Sequence, residues 1–288
     1  MKIKTLIILI SFWIFNVNAN ENSIFWQLKN TEGQELYIFG SIHVDDNRLV
    51  NFSDSVKEAM QKSDLLVTET NVVKDPGILK ALENEYANYL SDGDFEKINE
   101  LSNFHSIEES FAIKLKPWLL GFIFSSPKPM NPFSQDNLLM VMGRDYGLSL
   151  KGLETIDEHY TLLDKLPVEE QFKILKNVLL LSEEKKEQNY ELMIKTYLTF
   201  DLDKILSVEE KITKSTIPNK SWGYVKNELI HKRNKLFFER LMTLLKKNNL
   251  FVVVGASHLG GSDGVLDQFV HAGFKKNHLK RSKNITNG

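Results

Sequence analysis

The chain of 288 residues contains no cysteine, which excludes disulfides, thiol nucleophiles and thiolate metal ligands. Any metal ion would have to be held by histidine, aspartate, glutamate or backbone oxygens. The chain also lacks a basic excess, since its formal net charge is −2, and we expect no nucleic-acid partner. Without covalent cross-links its stability must come from a buried core, and the chain is long enough to form one.

Long apolar runs are also scarce, and the one stretch that resembles a targeting segment or a membrane span lies among the first residues. Lys2 and Lys4 precede an apolar stretch over residues 5–17, and small residues follow it before Asn20. This pattern is typical of a cleaved signal peptide, and the stretch is shorter than the roughly 20 residues that a spanning helix needs. We expect a signal peptide over residues 1–19, one domain over residues 20–288 and a periplasmic or secreted protein with no membrane span after cleavage.

Two copies of the pattern Gly-x-x-His occur near opposite ends of the chain, at residues 40–43 and 255–258. Each directly follows a short apolar run of the kind found in buried strands. Two further runs of this kind end at Glu69 and Glu154. The sequence therefore predicts four strands, each with a histidine or a glutamate at its carboxyl end.

Helical patterns separate these runs, which predicts an α/β fold. We expect a mixed, largely parallel central sheet flanked by helices, built as two βα halves with an inserted helical region. The first half reads as a βαβ unit over residues 36–69. Residues 168–214 are charged and helical in period, and could form a lid or a dimer surface. The polar tail after Gly273 is expected to be loosely ordered.

The carboxyl ends of the strands should bring His43, His258, Glu69 and Glu154 together, because ligands bind at that edge of open α/β sheets. Two imidazoles with one or two carboxylates suit a first-row divalent cation such as Zn, Mn, Fe or Co. Glycine three residues before each histidine permits a sharp turn or the close approach of another backbone. Arg233 falls on the apolar stripe of a predicted helix and needs an acidic partner, because an unpaired buried charge is costly.

Each feature also has a structural interpretation. A single Gly-x-x-His is a weak motif, and the two glutamates could be ordinary acids at helix N-termini. If the two motif histidines lay more than about 10 Å apart, one ion could not bridge them and a structural role would be favoured. The other histidines have no partner at metal-ligand spacing and are expected to be surface or structural residues: His105, His159, His231, His271 and His278.

At these positions the chain resembles the TraB/PrgY/GumN family, whose members share two Gly-x-x-His motifs. That family is related to the Tiki metalloproteases and, more distantly, to erythromycin esterase-like and ChaN-like proteins. One departure is that the acidic strand end of the family is often Glu-x-Asp, whereas this chain has Glu-Thr-Asn at residues 69–71. The matching stretches are residues 37–44, 66–70, 152–155 and 253–266, with Lys116-Pro117-Trp118 and Arg233-Asn234.

The resemblance implies that His43, His258 and Glu69 bind a divalent metal ion, Mn, Co or Zn, with Glu154 and Arg233 in the same pocket. It implies an exported hydrolase, a peptidase by analogy with the Tiki branch, that acts on a peptide or small-molecule substrate. Glu69, Glu154 and Arg233 would be the catalytic residues. Glu154 would be a general base or an orienting group, and Arg233 would pair with a carboxylate or stabilise an oxyanion.

The same residues are also compatible with a function of another class, that of a binding protein. It would bind a peptide or a haem-like ligand and sequester it without turnover. The oligomeric state is not indicated by the sequence.

Overall fold

A computed structural model describes residues 22–70, 76–80, 86–126 and 133–279. The expected signal peptide lies outside these ranges and stays a prediction. Six strands form one sheet in the order β4-β3-β5-β2-β1-β6. They are β1 (Phe25–Lys29), β2 (Glu35–Ser41), β3 (Leu65–Thr70), β4 (Ser149–Glu154), β5 (Leu250–Gly255) and β6 (Lys275–His278).

The sheet is mixed and largely parallel, as predicted. β4, β3, β5 and β2 are parallel neighbours, whereas β1 pairs antiparallel with both β2 and β6. β5 lies between β2 and β3, so the predicted βαβ unit is interrupted by the strand of the second half. The expectation of a loose tail after Gly273 is wrong for residues 275–278, because β6 pairs with β1.

Helices pack on both faces of the sheet, and helices from the segments before and after β4 form a region of their own. Among the described ranges, no helix is both long and apolar enough to cross a membrane. The helices are α1 (Asp54–Gln61), α2 (Tyr86–Tyr89), α3 (Asp92–Phe104), α4 (Glu109–Ala112), α5 (Pro117–Ser125), α6 (Gln135–Asp145), α7 (Ile156–Tyr160), α8 (Val168–Leu179), α9 (Glu183–Tyr197), α10 (Leu202–Lys214), α11 (Asn219–Lys226), a π-helical turn (Asn227–His231), α12 (Lys232–Leu244) and α13 (Val265–His271).

The two faces of the sheet are covered by different helices because side chains alternate along a strand. Phe251 and Val253 of β5 join a core with residues of α1, α6, α9 and α10. Val252 and Val254 point to the opposite face and pack with α12 and α13. All six residues of β5 are buried, as a central strand requires.

The inserted helical region has cores of its own. Phe124 of α5 and Phe172 of α8 lie in one cluster with residues of α3 and α4. Trp118 and Val225 lie in a second cluster that joins α5 to α11. Residues 168–214 are helical, as their periodicity predicts, and form the three helices α8, α9 and α10.

The glycine-rich loop before α13 generates a stability prediction. A Cβ on Gly264 would overlap the carbonyl oxygen of Gly260 and lie 2.5 Å from that of Leu259. We expect Gly264→Ala to lower the free energy of unfolding by about 1–3 kcal/mol, the usual cost of overpacking. Gly223→Ala is the matched control, since its Cβ would meet nothing within 4 Å inside α11. That change should raise the free energy of unfolding by about 0.5–1 kcal/mol.

Urea unfolding of the two alanine variants and the parent protein measures the difference. Equal stability of the two variants would contradict this description of the loop.

Candidate functional site

The four parallel strands bring the predicted residues to one edge of the sheet. β3 contains Glu69 and β4 ends at Glu154, while His43 and His258 follow the ends of β2 and β5. The two glutamates and His258 are buried, and the side chain of His43 is 61% exposed. Arg233 reaches the same place from α12, which begins directly after the π-helical turn.

Glu69 lies at the centre of this cluster. Its Oε1 atom is 3.6 Å from Nε2 of His43 and 3.9 Å from Nε2 of His258. The same oxygen accepts a hydrogen bond of 2.6 Å from the backbone N–H of Gly255. One carboxylate oxygen therefore faces both motif histidines.

The motif glycines provide the space for this approach. A Cβ on Gly255 would lie 3.3 Å from Oε1 of Glu69, 3.6 Å from Cδ2 of His258 and 3.7 Å from Nε2 of His43. The two imidazoles are thus well inside the limit of about 10 Å for a shared ion. A Cβ on Gly40 would lie 3.0 Å from Cα of Ala256, so the first glycine admits the backbone of the second motif.

Arg233 joins the two glutamates. Its Nη2 donates to Oε2 of Glu69 at 2.5 Å, and its Nε donates to Oε1 of Glu154 at 2.9 Å. Burial alone would raise the pKa of Glu69, but Arg233 and His43 hold that pKa well below its usual range. Burial opposes the charge of Arg233 too, yet the two glutamates raise the pKa of its guanidinium. The pKa of Glu154 is lowered as well, so Arg233 and both glutamates are charged at neutral pH.

His258 is held as a neutral imidazole. Its Nδ1 donates to Oδ1 of Asn234 at 2.7 Å, which leaves Nε2 as the unprotonated nitrogen. Burial and the neighbouring Arg233 lower the pKa of His258 to about 4. Nη1 of Arg233 lies 3.1 Å from Nε2 and donates to it. The lone pair that a metal ion would use is therefore engaged by the guanidinium.

His43 is oriented by a carboxylate instead. Its Nδ1 lies 2.9 Å from Oδ2 of Asp136, whose other oxygen accepts a hydrogen bond of 2.5 Å from Ser41. This leaves Nε2 facing Glu69. The negative charge of Asp136 raises the pKa of His43 well above its usual value, because it stabilises the protonated imidazole.

The loop that carries His43 is fixed by two polar side chains from other elements. Gln135 accepts a hydrogen bond from the backbone N–H of Ile42 at 3.1 Å. Tyr197 of α9 donates to the carbonyl oxygen of Gly40 at 2.7 Å. Elements distant in sequence thus hold the first motif in place.

The structure adds residues that the sequence did not single out. Asp136 resembles any acid in the first turn of a helix, here the turn that follows the N-cap Ser134. Asn234 was noted only as a neighbour of Arg233. The expectation for His159 needs correction, because its Nδ1 lies 3.0 Å from Oε2 of Glu154 and it therefore borders the site.

Three donor atoms are of the kind that divalent cations bind. They are Nε2 of His43, Nε2 of His258 and Oε1 of Glu69, and ligands bound at about 2 Å to one ion lie roughly 3–4 Å apart. Within the described part of the chain, no three His, Asp or Glu side chains already surround a point as metal ligands. Arg233 donates to Nε2 of His258 and would have to release this nitrogen before an ion could bind there.

A comparison with curated proteins finds no match for this chain. The sequence model of the TraB/PrgY/gumN family, in contrast, matches residues 24–278, which contain both Gly-x-x-His motifs and every site residue described above. The match does not bear on the Tiki or ChaN-like relationships, which stay predictions. The chain belongs to the TraB/PrgY/gumN family.

Proposed function

We propose that the protein is an exported, metal-dependent hydrolase that cleaves peptides in the periplasm or outside the cell. The observation that carries this proposal is the approach of two imidazole Nε2 atoms, from His43 and His258, to one oxygen of Glu69. These atoms come from three parallel strands at the edge where α/β sheets bind ligands.

The charge of the site supports cation binding. Glu69 and Glu154 together carry two negative charges, and Arg233 neutralises one of them. His43 and Asp136 form a further pair whose charges cancel. The buried centre therefore keeps a net negative charge, which attracts a divalent cation.

His43, His258 and Glu69 would hold the cation, and the ion suits Mn, Co or Zn. When bound, such a cation would polarise a substrate carbonyl and lower the pKa of a bound water to about 7. The remaining residues then have defined tasks. Asp136 and Asn234 fix the ring orientations of the two histidines, as the carboxylate and amide partners of metal-binding histidines generally do.

Glu154 acts on Arg233 and positions it. Both of its oxygens are engaged, one by Nε of Arg233 and the other by Nη2 of Arg233 and by His159. Burial would raise the pKa of Glu154, but His159 and Arg233 keep it below its usual value, so Glu154 is a poor proton acceptor. When Nη1 of Arg233 releases His258, that N–H becomes a donor for the oxyanion of the substrate.

The metal site can be tested by histidine substitution in the full chain. We expect wild-type protein, stripped of metal, to bind Co²⁺ with visible absorption and to cleave a quenched-fluorescent peptide library when Mn²⁺, Co²⁺ or Zn²⁺ is added. His43→Ala and His258→Ala should each weaken Co²⁺ binding by more than about 100-fold and abolish cleavage, because each removes a ligand.

The matched control is His271→Ala, whose ring is 77% exposed at the end of α13 and pairs with Asp267 rather than with a site residue. It should bind and cleave as the parent does. Cobalt binding that survives both motif substitutions would contradict the site. Cobalt binding without any cleavage would favour the sequestering protein.

The role of Asp136 is a separate prediction. Asp136→Asn keeps the shape of the side chain but weakens its hold on Nδ1 of His43. We expect Co²⁺ affinity to fall by about 10- to 100-fold, the usual loss when the partner of a metal-binding histidine is changed. Asp145→Asn on the exposed end of the same helix is the control, and cobalt titration followed by absorption measures both. Equal affinities of the two variants would show that Asp136 does not support the ligand.

A further inference from the structure

A third glutamate, on a helix of the inserted region, lies beside the second Gly-x-x-His motif. Glu209 lies on α10, and its Oε2 accepts a hydrogen bond from the hydroxyl of Ser257, which directly precedes His258. Within the part of the chain that the structure describes, Ser257 is its one hydrogen-bond partner, so the other carboxylate oxygen has none. Glu209 also interacts electrostatically with His43, Glu69 and Arg233.

The first turns of α10 are fixed against the loop that follows the second motif. A Cβ on Gly260 would lie 2.7 Å from the carbonyl oxygen of Leu202, so only glycine admits the helix this closely. The backbone N–H of Gly261 donates to Asp203 at 2.9 Å. Leu202 and Glu209 are seven residues apart, which places them on the same face of the helix two turns from each other.

Glu209 differs from the other two carboxylates in its freedom to take up a proton. Glu69 and Glu154 are both bound by Arg233, whereas Glu209 makes no ion pair within the described ranges. Burial, reinforced by the charge of Glu69, raises the pKa of Glu209, although Ser257 and His43 act in the opposite direction. A raised pKa makes a carboxylate a better proton acceptor, as an acid–base catalyst requires.

We propose that Glu209 is the acid–base catalyst of this site, an assignment that rests on the proposed hydrolase function. Its free carboxylate oxygen takes a proton from a water molecule as the water oxygen bonds to the substrate carbonyl carbon. Glu209 then gives this proton to the departing amide nitrogen as the C–N bond breaks. The products are a carboxylic acid and an amine, and the carboxylate of Glu209 is restored.

This role also gives the helical region between β4 and β5 a function. α10 supplies the group that the strands do not provide, and Ser257 holds that group beside the second motif. The region therefore completes the site.

The test compares Glu209→Gln with Glu210→Gln in the full chain. Glutamine at residue 209 can still accept the hydrogen bond from Ser257, so we expect the variant to fold. Glu210 is the adjacent residue and pairs with Lys226 at 2.7 Å, away from the motif. With the peptide library and Co²⁺, Glu209→Gln should lower kcat by about 10²- to 10⁴-fold, while Glu210→Gln leaves it unchanged.

Two further readouts separate catalysis from structure. Co²⁺ affinity and KM of Glu209→Gln should stay within about twofold of the wild-type values, because the loss concerns the chemical step. In Glu209→Ala, added formate should restore part of the cleavage by replacing the missing carboxylate.

The outcomes distinguish this proposal from the one on which it rests. If Glu209→Gln keeps kcat within about threefold of wild type while His43→Ala abolishes cleavage, the role of Glu209 is wrong and the hydrolase stands. If the wild-type protein binds Co²⁺ but cleaves nothing, the hydrolase proposal fails and the role of Glu209 fails with it.

Discussion

The buried guanidinium of Arg233 is the interaction on which the site depends. Two glutamates from different strands are removed from water next to each other, and two like charges in that setting repel strongly. Arg233 donates to both of them and to His258, so a single side chain offsets one of the two negative charges and orients three site residues. Removing one partner of such a buried group leaves an uncompensated charge, which typically costs about 3–5 kcal/mol.

The order of the strands makes this convergence possible. β5 from the end of the chain is inserted between β2 and β3, so the second motif lies beside both the first motif and Glu69. Gly40 and Gly255 then allow contacts that a Cβ would obstruct, each glycine making room for a residue of the other half. The repeated motif is thus explained by packing between the halves as well as by the chemistry of its histidines.

The strand ends could be predicted from the sequence because buried strands produce apolar runs that are easy to recognise. The partnership of Arg233 with acids followed from one physical argument, since a charge on an apolar helix face needs a counter-charge. The strand order could not be read from local patterns, because the insertion of β5 depends on contacts between the two ends of the chain. The weak edge strand β6 has the charged sequence Lys-Lys-Asn-His, which carries no apolar signal.

The supporting residues escaped prediction for a similar reason. Asp136 is 93 residues from His43, and Glu209 is 48 residues from Ser257. Each lies in a helix where acids are common, so nothing local distinguishes it from a solvated charge. His159 had no partner at metal-ligand spacing along the chain, and its contact with Glu154 arises across the turn that begins α7.

Arg233 also defines what the proposed metal centre requires. Nη1 of Arg233 donates a hydrogen bond to Nε2 of His258, the nitrogen that would bind the ion. Metal binding and this hydrogen bond therefore exclude each other. The most direct measurement is a crystal structure of the protein soaked with Co²⁺, with anomalous scattering recorded at the cobalt edge. The account predicts one strong peak about 2 Å from Nε2 of His43, Nε2 of His258 and an oxygen of Glu69, with Nη1 of Arg233 withdrawn from His258. A peak elsewhere, or none while Arg233 still donates to His258, would contradict it.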